Sequence, residues 1–120
     1  MTRYLMTVHG PLEIDEFSSY GSAEARDAAY AETEKFNETL KAEGYWVFGG
    51  GLMPAPEAKV VDGQSGTTLI TDGPYLESKE HLAGFWLLEV PDDATAYEIA
   101  ARASVVCQCR IEVRAFGGYA

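Results

Sequence analysis

The sequence has 120 residues, of which 47% are hydrophobic and 23% are charged, and its formal net charge is −10. A chain of this length has room for one domain, and seven Tyr, five Phe and two Trp supply the apolar surface for its core. The acidic balance argues against nucleic-acid binding, which depends on Lys and Arg contacts to phosphates, and against binding to an anionic membrane surface.

The first part of the chain predicts a strand followed by a helix. Apolar and polar residues alternate from Arg3 to His9, and Gly10-Pro11 is expected to end this strand. A loop is expected from there through Gly21. Ser22 suits an N-cap, and the segment from Ala23 to Glu43 is rich in strong helix formers. The buried stripe of this helix is expected at Ala29, Thr33, Phe36 and Leu40.

The middle of the chain predicts a strand and a hairpin. The strand runs from Tyr45 to Met53 and contains Gly49-Gly50-Gly51, which suggests a bulge or a close approach of another backbone. Two short β-runs, Lys59 to Val61 and Thr67 to Thr71, flank a Gly-containing turn and predict the hairpin. Asp72-Gly73-Pro74 is expected to close it.

The last part predicts a strand, a helix and a final strand. Gly84 to Val90 is the clearest strand, because it carries apolar residues on both faces. A helix begins after Pro91, with Asp92 or Asp93 as its N-cap, and Ile111 to Phe116 forms the last strand. The inner stripe of the second helix is expected at Ala96, Ile99, Ala100 and Ala103.

This order of elements predicts a single α+β domain over residues 1–120. It is the ferredoxin-like βαββαβ arrangement with an added hairpin, in which two helices cover one face of an antiparallel sheet. The other face lacks cover within the chain, and Leu5 and Phe85 would leave an apolar patch on it. Because Gly84 to Val90 is apolar on both faces, we expect a homodimer packed sheet face to sheet face.

Polar residues are expected to gather at one end of this sheet. The strand order places the end of the first strand beside the beginnings of the third core strand and the last strand. The residues that this connectivity brings together are His9, Asp72, Lys79, Glu80, His81 and Arg110. In a catalytic interpretation, His9 is a general base oriented by Asp72, and the other four bind a small-molecule substrate.

Structural interpretations of the same two residues stay open. Asp72 precedes Gly-Pro, where an Asp side chain commonly bonds to its own backbone in a turn. His9, at a strand end, is equally compatible with a surface or interface position.

Neither a metal nor another cofactor is expected. The spacing of the two histidines and the nearby carboxylates is not that of a recognised metal site. Cys107 and Cys109 lie too close along the chain for an easy disulfide and are interpreted as small, partly buried residues. With no apolar run long enough to span a bilayer and no secretory signal at the N-terminus, a cytoplasmic protein is expected.

The segment from Thr71 to Phe85 resembles the DGPF, or YCII-related, family. The hallmark of that family is Asp-Gly-Pro-Phe, then a Glu, then Lys-Glu, then Gly and an aromatic strand. Tyr75 stands here in place of the usual Phe, and His81 stands where Gln is expected, so no family role is carried over to His81. Similarity extends to Arg3–Met6, Gly49–Pro54 and Ile111–Arg114, and thus to nearly the whole chain.

The resemblance implies a ferredoxin-like fold and a dimeric α/β-barrel assembly. Some relatives are thought to use a His–Asp pair in a cleft, and one removes chloride from a hydroxylated aromatic ring. The histidine of that pair lies on the first helix, but the segment from Ala23 to Glu43 contains none. Family members also occur beside extracytoplasmic-function sigma factors, which implies an accessory or regulatory role.

Two functional hypotheses follow from the sequence. The first is a small-molecule-binding protein or enzyme with lyase- or hydrolase-like acid–base chemistry, whose cleft lies at the end of the sheet. The second is a non-catalytic accessory or regulatory protein. The sequence favours the first slightly, and it specifies neither the substrate nor whether the chain is an enzyme.

Overall fold

The computed structural model describes residues 1–11 and 20–118. It contains the strands β1 (Thr2–Pro11), β2 (Trp46–Gly51), β3 (Lys59–Asp62), β4 (Leu69–Asp72), β5 (Glu80–Val90) and β6 (Ile111–Ala115), the helices α1 (Ala23–Ala42) and α2 (Asp93–Cys107), and a 3₁₀ turn at Ala55–Glu57. Of the loop predicted before Gly21, residues 12–19 lie outside the described residues.

The main sheet has four strands in the order β2-β5-β1-β6, and each neighbouring pair is antiparallel. This order and the two helices confirm the predicted α+β, ferredoxin-like fold. The strands β3 and β4 form a separate antiparallel pair, as predicted for the added hairpin. The first strand therefore lies in the middle of the sheet, between β5 and β6.

Each helix begins at a side-chain cap. The Ser22 hydroxyl accepts a hydrogen bond of 3.1 Å from the amide of Ala25, which confirms the predicted N-cap of α1. At α2 the cap is Asp92, whose carboxylate accepts a bond of 2.8 Å from the amide of Thr95. Neither of these two helices is long and apolar enough to cross a membrane, a finding that covers only the described part of the chain.

One cluster of buried side chains lies between the sheet and both helices. The sheet contributes Tyr4, Met6, Trp86, Leu88 and Val90, and the helices contribute Phe36, Leu40, Ala96, Ile99, Ala100 and Ala103. The predicted stripes are thus buried, apart from Thr33, which is half-buried. Both helices pack on the same face of the sheet, where the even-numbered residues of β1 and β5 point.

Gly49 on β2 and Gly84 on β5 permit a close approach of the two strands, which the sequence suggested for the Gly49-Gly50-Gly51 run. A Cβ atom on Gly84 would lie 3.1 Å from the carbonyl oxygen of Gly50, and one on Gly49 would lie 3.1 Å from that of Phe85. The register of β2 against β5 also shifts between Trp46 and Phe48, which is a bulge next to the glycines.

Two central strands are longer than the sequence predicted. The Gly10-Pro11 pair does not end β1, because these residues pair with His81 and Glu80. Pro11 is tolerated there since it is the last residue of the strand, where a missing amide donor costs little. Accordingly β5 begins at Glu80, and a bulge at Ala83 lets Val8 pair with Gly84 while His9 pairs with Leu82.

The second face of the sheet carries apolar side chains that the helices do not cover. We call it the open face, and it includes Leu5, Phe85 and Leu87, all half-buried, and Phe48, which is 58% exposed. The rings of Phe48 and Phe85 lie 5.8 Å apart between centroids. Contact with a second copy through this face stays a prediction.

Candidate functional site

A pocket of about 560 Å³ lies at the end of the sheet where β1 ends and β5 begins. Both histidines of the chain, His9 and His81, line it together with Glu80, and we call it the histidine pocket. Its apolar wall consists of Leu52, Met53, Tyr75, Leu76 and Leu82. Its size falls within the range of pockets that hold small organic ligands.

The position of His9 is set by the sheet. It belongs to β1, and its place in the alternation puts it on the open face with Leu5 and Thr7. Its Nε2 atom is joined by a hydrogen bond of 2.9 Å to the hydroxyl of Thr7, whose side chain is only 5% exposed. A buried partner thus fixes the imidazole ring and leaves Nδ1 for a ligand or a proton.

His81 is held by the turn that leads into β5. Its Nε2 atom lies 3.1 Å from the carbonyl oxygen of Ser78. Because a carbonyl oxygen only accepts, Nε2 is the donor in this bond. The same turn is closed by the Ser78 hydroxyl, which donates to the carbonyl of Glu80.

A second cavity of about 500 Å³ adjoins the first and shares His9 and Glu80 with it. Its other lining residues include Arg110 and Cys109, which precede β6. The structure therefore brings His9, Glu80, His81 and Arg110 to one end of the sheet, as the strand order suggested.

Two of the predicted site residues, Asp72 and Lys79, are not among the residues that line the two cavities. Asp72 is the last residue of β4, and its carboxylate accepts a hydrogen bond of 2.7 Å from Lys59 Nζ. This bond and the lysine charge lower the pKa of Asp72. Asp72 and Lys79 are both exposed and line neither cavity. The role of Asp72 as the residue that orients His9 stays a prediction, and its contact with Lys59 does not support it.

The apolar wall of the histidine pocket was not predicted. Leu52, Met53, Tyr75 and Leu76 all lie in connecting segments and are all exposed. The available signal was their position beside Gly and Pro in Gly51-Leu52-Met53-Pro54 and Pro74-Tyr75-Leu76. Large apolar residues clustered in loops next to titratable groups indicate a binding surface more often than a plain connection.

The described residues contain no group of three or more His, Cys, Asp or Glu side chains arranged to hold a metal ion. Cys107 and Cys109 are both free and half-buried. Burial raises the pKa of the Cys107 thiol from its ordinary value of 9.0 to about 11. The thiol is therefore a poor nucleophile near neutral pH.

Cys107 is expected to resist alkylation in the folded protein. A pKa about two units above the ordinary value lowers the thiolate fraction at pH 8 by about a hundredfold, and iodoacetamide should react more slowly by about that factor. Timed alkylation followed by peptide mass spectrometry measures the rate, with the protein in denaturant as the reference. Because the raised pKa favours the protonated folded state, this thiol's contribution to stability should decline as pH rises from 9 to 11. Equal alkylation rates with and without denaturant would contradict the assignment.

The family model of the YCII-related domain matches residues 8–116, which is nearly the whole chain. No curated protein matches the sequence.

Proposed function

Since the chain belongs to the YCII-related domain family, we propose for it a function that its own side chains support: binding a small organic molecule in the histidine pocket. The observation that carries the proposal is the convergence of both histidines and Glu80 on one pocket with an apolar wall. Such a combination of an apolar lining with a few polar groups is typical of small-molecule sites.

The lining indicates the class of ligand. Leu52, Met53 and Tyr75 accommodate an apolar body, and the two imidazoles offer contacts for a carboxylate or carbonyl group. We assign proton transfer to His9, because the buried Thr7 holds its ring in place. The enzymatic form of the proposal is acid–base chemistry of the lyase or hydrolase type.

In the proposed assembly, two copies of the chain associate through their open faces to form a homodimer. Half-buried Leu5, Phe85 and Leu87 would gain full burial there. His9 lies on the same face at its end, so the second copy would form part of the surroundings of the histidine pocket.

Imidazole NMR signals test the ligand proposal directly. The chain has only two histidines, so two sets of ring signals are expected, and His9→Gln and His81→Gln assign them. Titration with small aromatic and aliphatic carboxylates, such as phenylpropionate, should shift both sets saturably. The variant Asp72→Asn should bind equally well, because Asp72 does not line the pocket.

Each outcome of this titration has a defined meaning. The proposal is supported if both histidine signals shift in the wild type and the His81 shift is lost in His9→Gln. Shifts of His9 alone would place the ligand in the adjoining cavity, which includes Arg110 but not His81, and would overturn the assignment. No shift with any member of the series would also overturn it.

A second candidate function is supported by the hairpin β3–β4. Val61, Leu69 and Ile70 are apolar and exposed on it, and an isolated two-stranded hairpin is marginally stable in water. Contact with another protein would cover these side chains, as in an accessory or regulatory protein. Hydrogen exchange of the purified protein should then be faster in β3 and β4 than in β1 and β5. Equal protection of both pairs would contradict this function.

A further inference from the structure

A second pocket, of about 320 Å³, lies between α1 and the sheet, and we call it the glycine slot. It opens on the helix-covered face, over the ends of β2, β5 and β1. Of the residues that the structure describes, none lines both this slot and the histidine pocket. It therefore needs an explanation independent of the histidines.

The slot exists because two paired strand positions lack side chains. Gly51 and Gly84 are register partners, and alternation from Trp86 places both on the face toward the helices. A Cβ atom on Gly51 would have Ala83 O as its nearest neighbour, at 4.0 Å, so the space above it is unfilled. On Gly84, by contrast, a Cβ would lie 3.1 Å from Gly50 O, so this glycine is required by strand packing.

The inner wall of the slot is the indole of Trp86, which is held from two sides. Its Nε1 atom donates a hydrogen bond of 2.7 Å to Oδ1 of Asn37 on α1. The Phe36 ring packs edge-on against it, with 5.7 Å between centroids. These contacts prevent the indole from collapsing into the empty space. The Asn37 amide oxygen is occupied by this bond, whereas its NH₂ group is available as a donor.

The rim of the slot is polar but uncharged. Tyr20 and Tyr30 form an edge-to-face pair with 6.1 Å between ring centroids, and Thr33 lies beside them on α1. Burial raises the pKa of Tyr20, so its hydroxyl stays neutral. Within the described residues, the lining contains no Asp, Glu, Lys, Arg or His. A charged ligand would find no counter-ion here and would lose its hydration.

We propose that the glycine slot is a second binding site, which takes a neutral, flat organic molecule with a hydrogen-bond acceptor. The flat ring of this ligand lies over Gly51 and Gly84, against the indole of Trp86. The acceptor receives a hydrogen bond from the NH₂ group of Asn37 or from the hydroxyl of Tyr20. The volume falls at the lower end of the range for small-molecule pockets, which suits a ligand of one or two rings.

The experiment uses acetophenone, a neutral aromatic ketone, as the probe, and benzoate as its charged counterpart. The chain has two tryptophans, so Trp46→Phe assigns the indole N–H signal of Trp86. Acetophenone should shift this signal saturably and leave both histidine signals in place. Benzoate should bind at least about tenfold more weakly, because the slot offers no positive charge.

Matched glycine variants test the location. Gly51→Val places a side chain in the slot and should weaken acetophenone binding at least about tenfold. Gly50→Val is the control, because its side chain points to the open face and meets no atom within 4 Å. If Gly51→Val does not fold, Thr33→Leu fills the slot from the helix side and should have the same effect.

Three results would overturn the proposal. The first is an unmoved Trp86 signal at saturating acetophenone, and the second is equal affinity of the Gly51 and Gly50 variants. The third is a shift of the histidine signals without a shift of Trp86, which would assign the probe to the histidine pocket. A negative result for the histidine pocket leaves the slot test valid, because the two sites have separate reporters.

Discussion

Replacement of Leu88 by alanine should lower the free energy of unfolding by about 2–5 kcal/mol. Leu88 is 0% exposed and lies opposite Tyr4 on β1 and Trp46 on β2, under both helices. Removal of its side chain loses apolar burial and leaves a cavity that closely packed neighbours cannot fill. Urea denaturation followed by circular dichroism measures the change. One protein concentration should be used throughout, because association would add to the stability.

Val105→Ala is the control for this experiment. Val105 lies on α2 and is 79% exposed, so the same kind of truncation there should change the free energy of unfolding by less than about 0.5 kcal/mol. A Leu88→Ala effect as small as that of the control would show that β5 does not lie at the centre of the core.

Leu87→Glu should raise the dissociation constant of the proposed homodimer by at least about a hundredfold, or about 2.8 kcal/mol. Leu87 is the neighbour of Leu88 but points to the open face, opposite Leu5 and Phe48. A two-fold symmetric contact buries the new carboxylate twice, once from each copy. Sedimentation velocity over a range of concentrations measures the equilibrium.

Val105→Glu introduces the same charge outside the open face and should leave the dissociation constant unchanged. A wild-type protein that is monomeric at micromolar concentration would refute the dimer. A dimer that persists in Leu87→Glu would show that association uses another surface.

Local patterns were sufficient to predict most of the fold. The alternation of Tyr4, Met6 and Val8 and the cap at Ser22 depend on neighbours along the chain, and the structure confirms them. The strand ends were predicted wrongly, because the pairing of Gly10-Pro11 with Glu80-His81 depends on contacts far apart in sequence. No local signal distinguishes a proline that ends a strand from one that is its last paired residue.

For the candidate site, the sequence predicted only those residue positions that the strand order determines. The strand order brings His9, Glu80, His81 and Arg110 to one end of the sheet. Topology alone does not give the partner of Asp72, whose carboxylate is bonded to Lys59 on the facing strand of the hairpin. The glycine slot was beyond prediction from the sequence, since it depends on the register that pairs Gly51 with Gly84.

The bulge at Ala83 has a consequence for which side chains accompany His9. In an unbroken strand, His81 would share the face of Phe85, and Glu80 and Leu82 would point to the other side. The extra residue reverses this order, so that Leu82 and Glu80 lie on the face of His9. If Ala83 were paired with His9 instead of bulged out, His81 would pair with Pro11, and a second imidazole would replace the carboxylate on the face of His9. The bulge, and not only the identity of the residues, determines which side chains lie beside His9 at the end of the sheet.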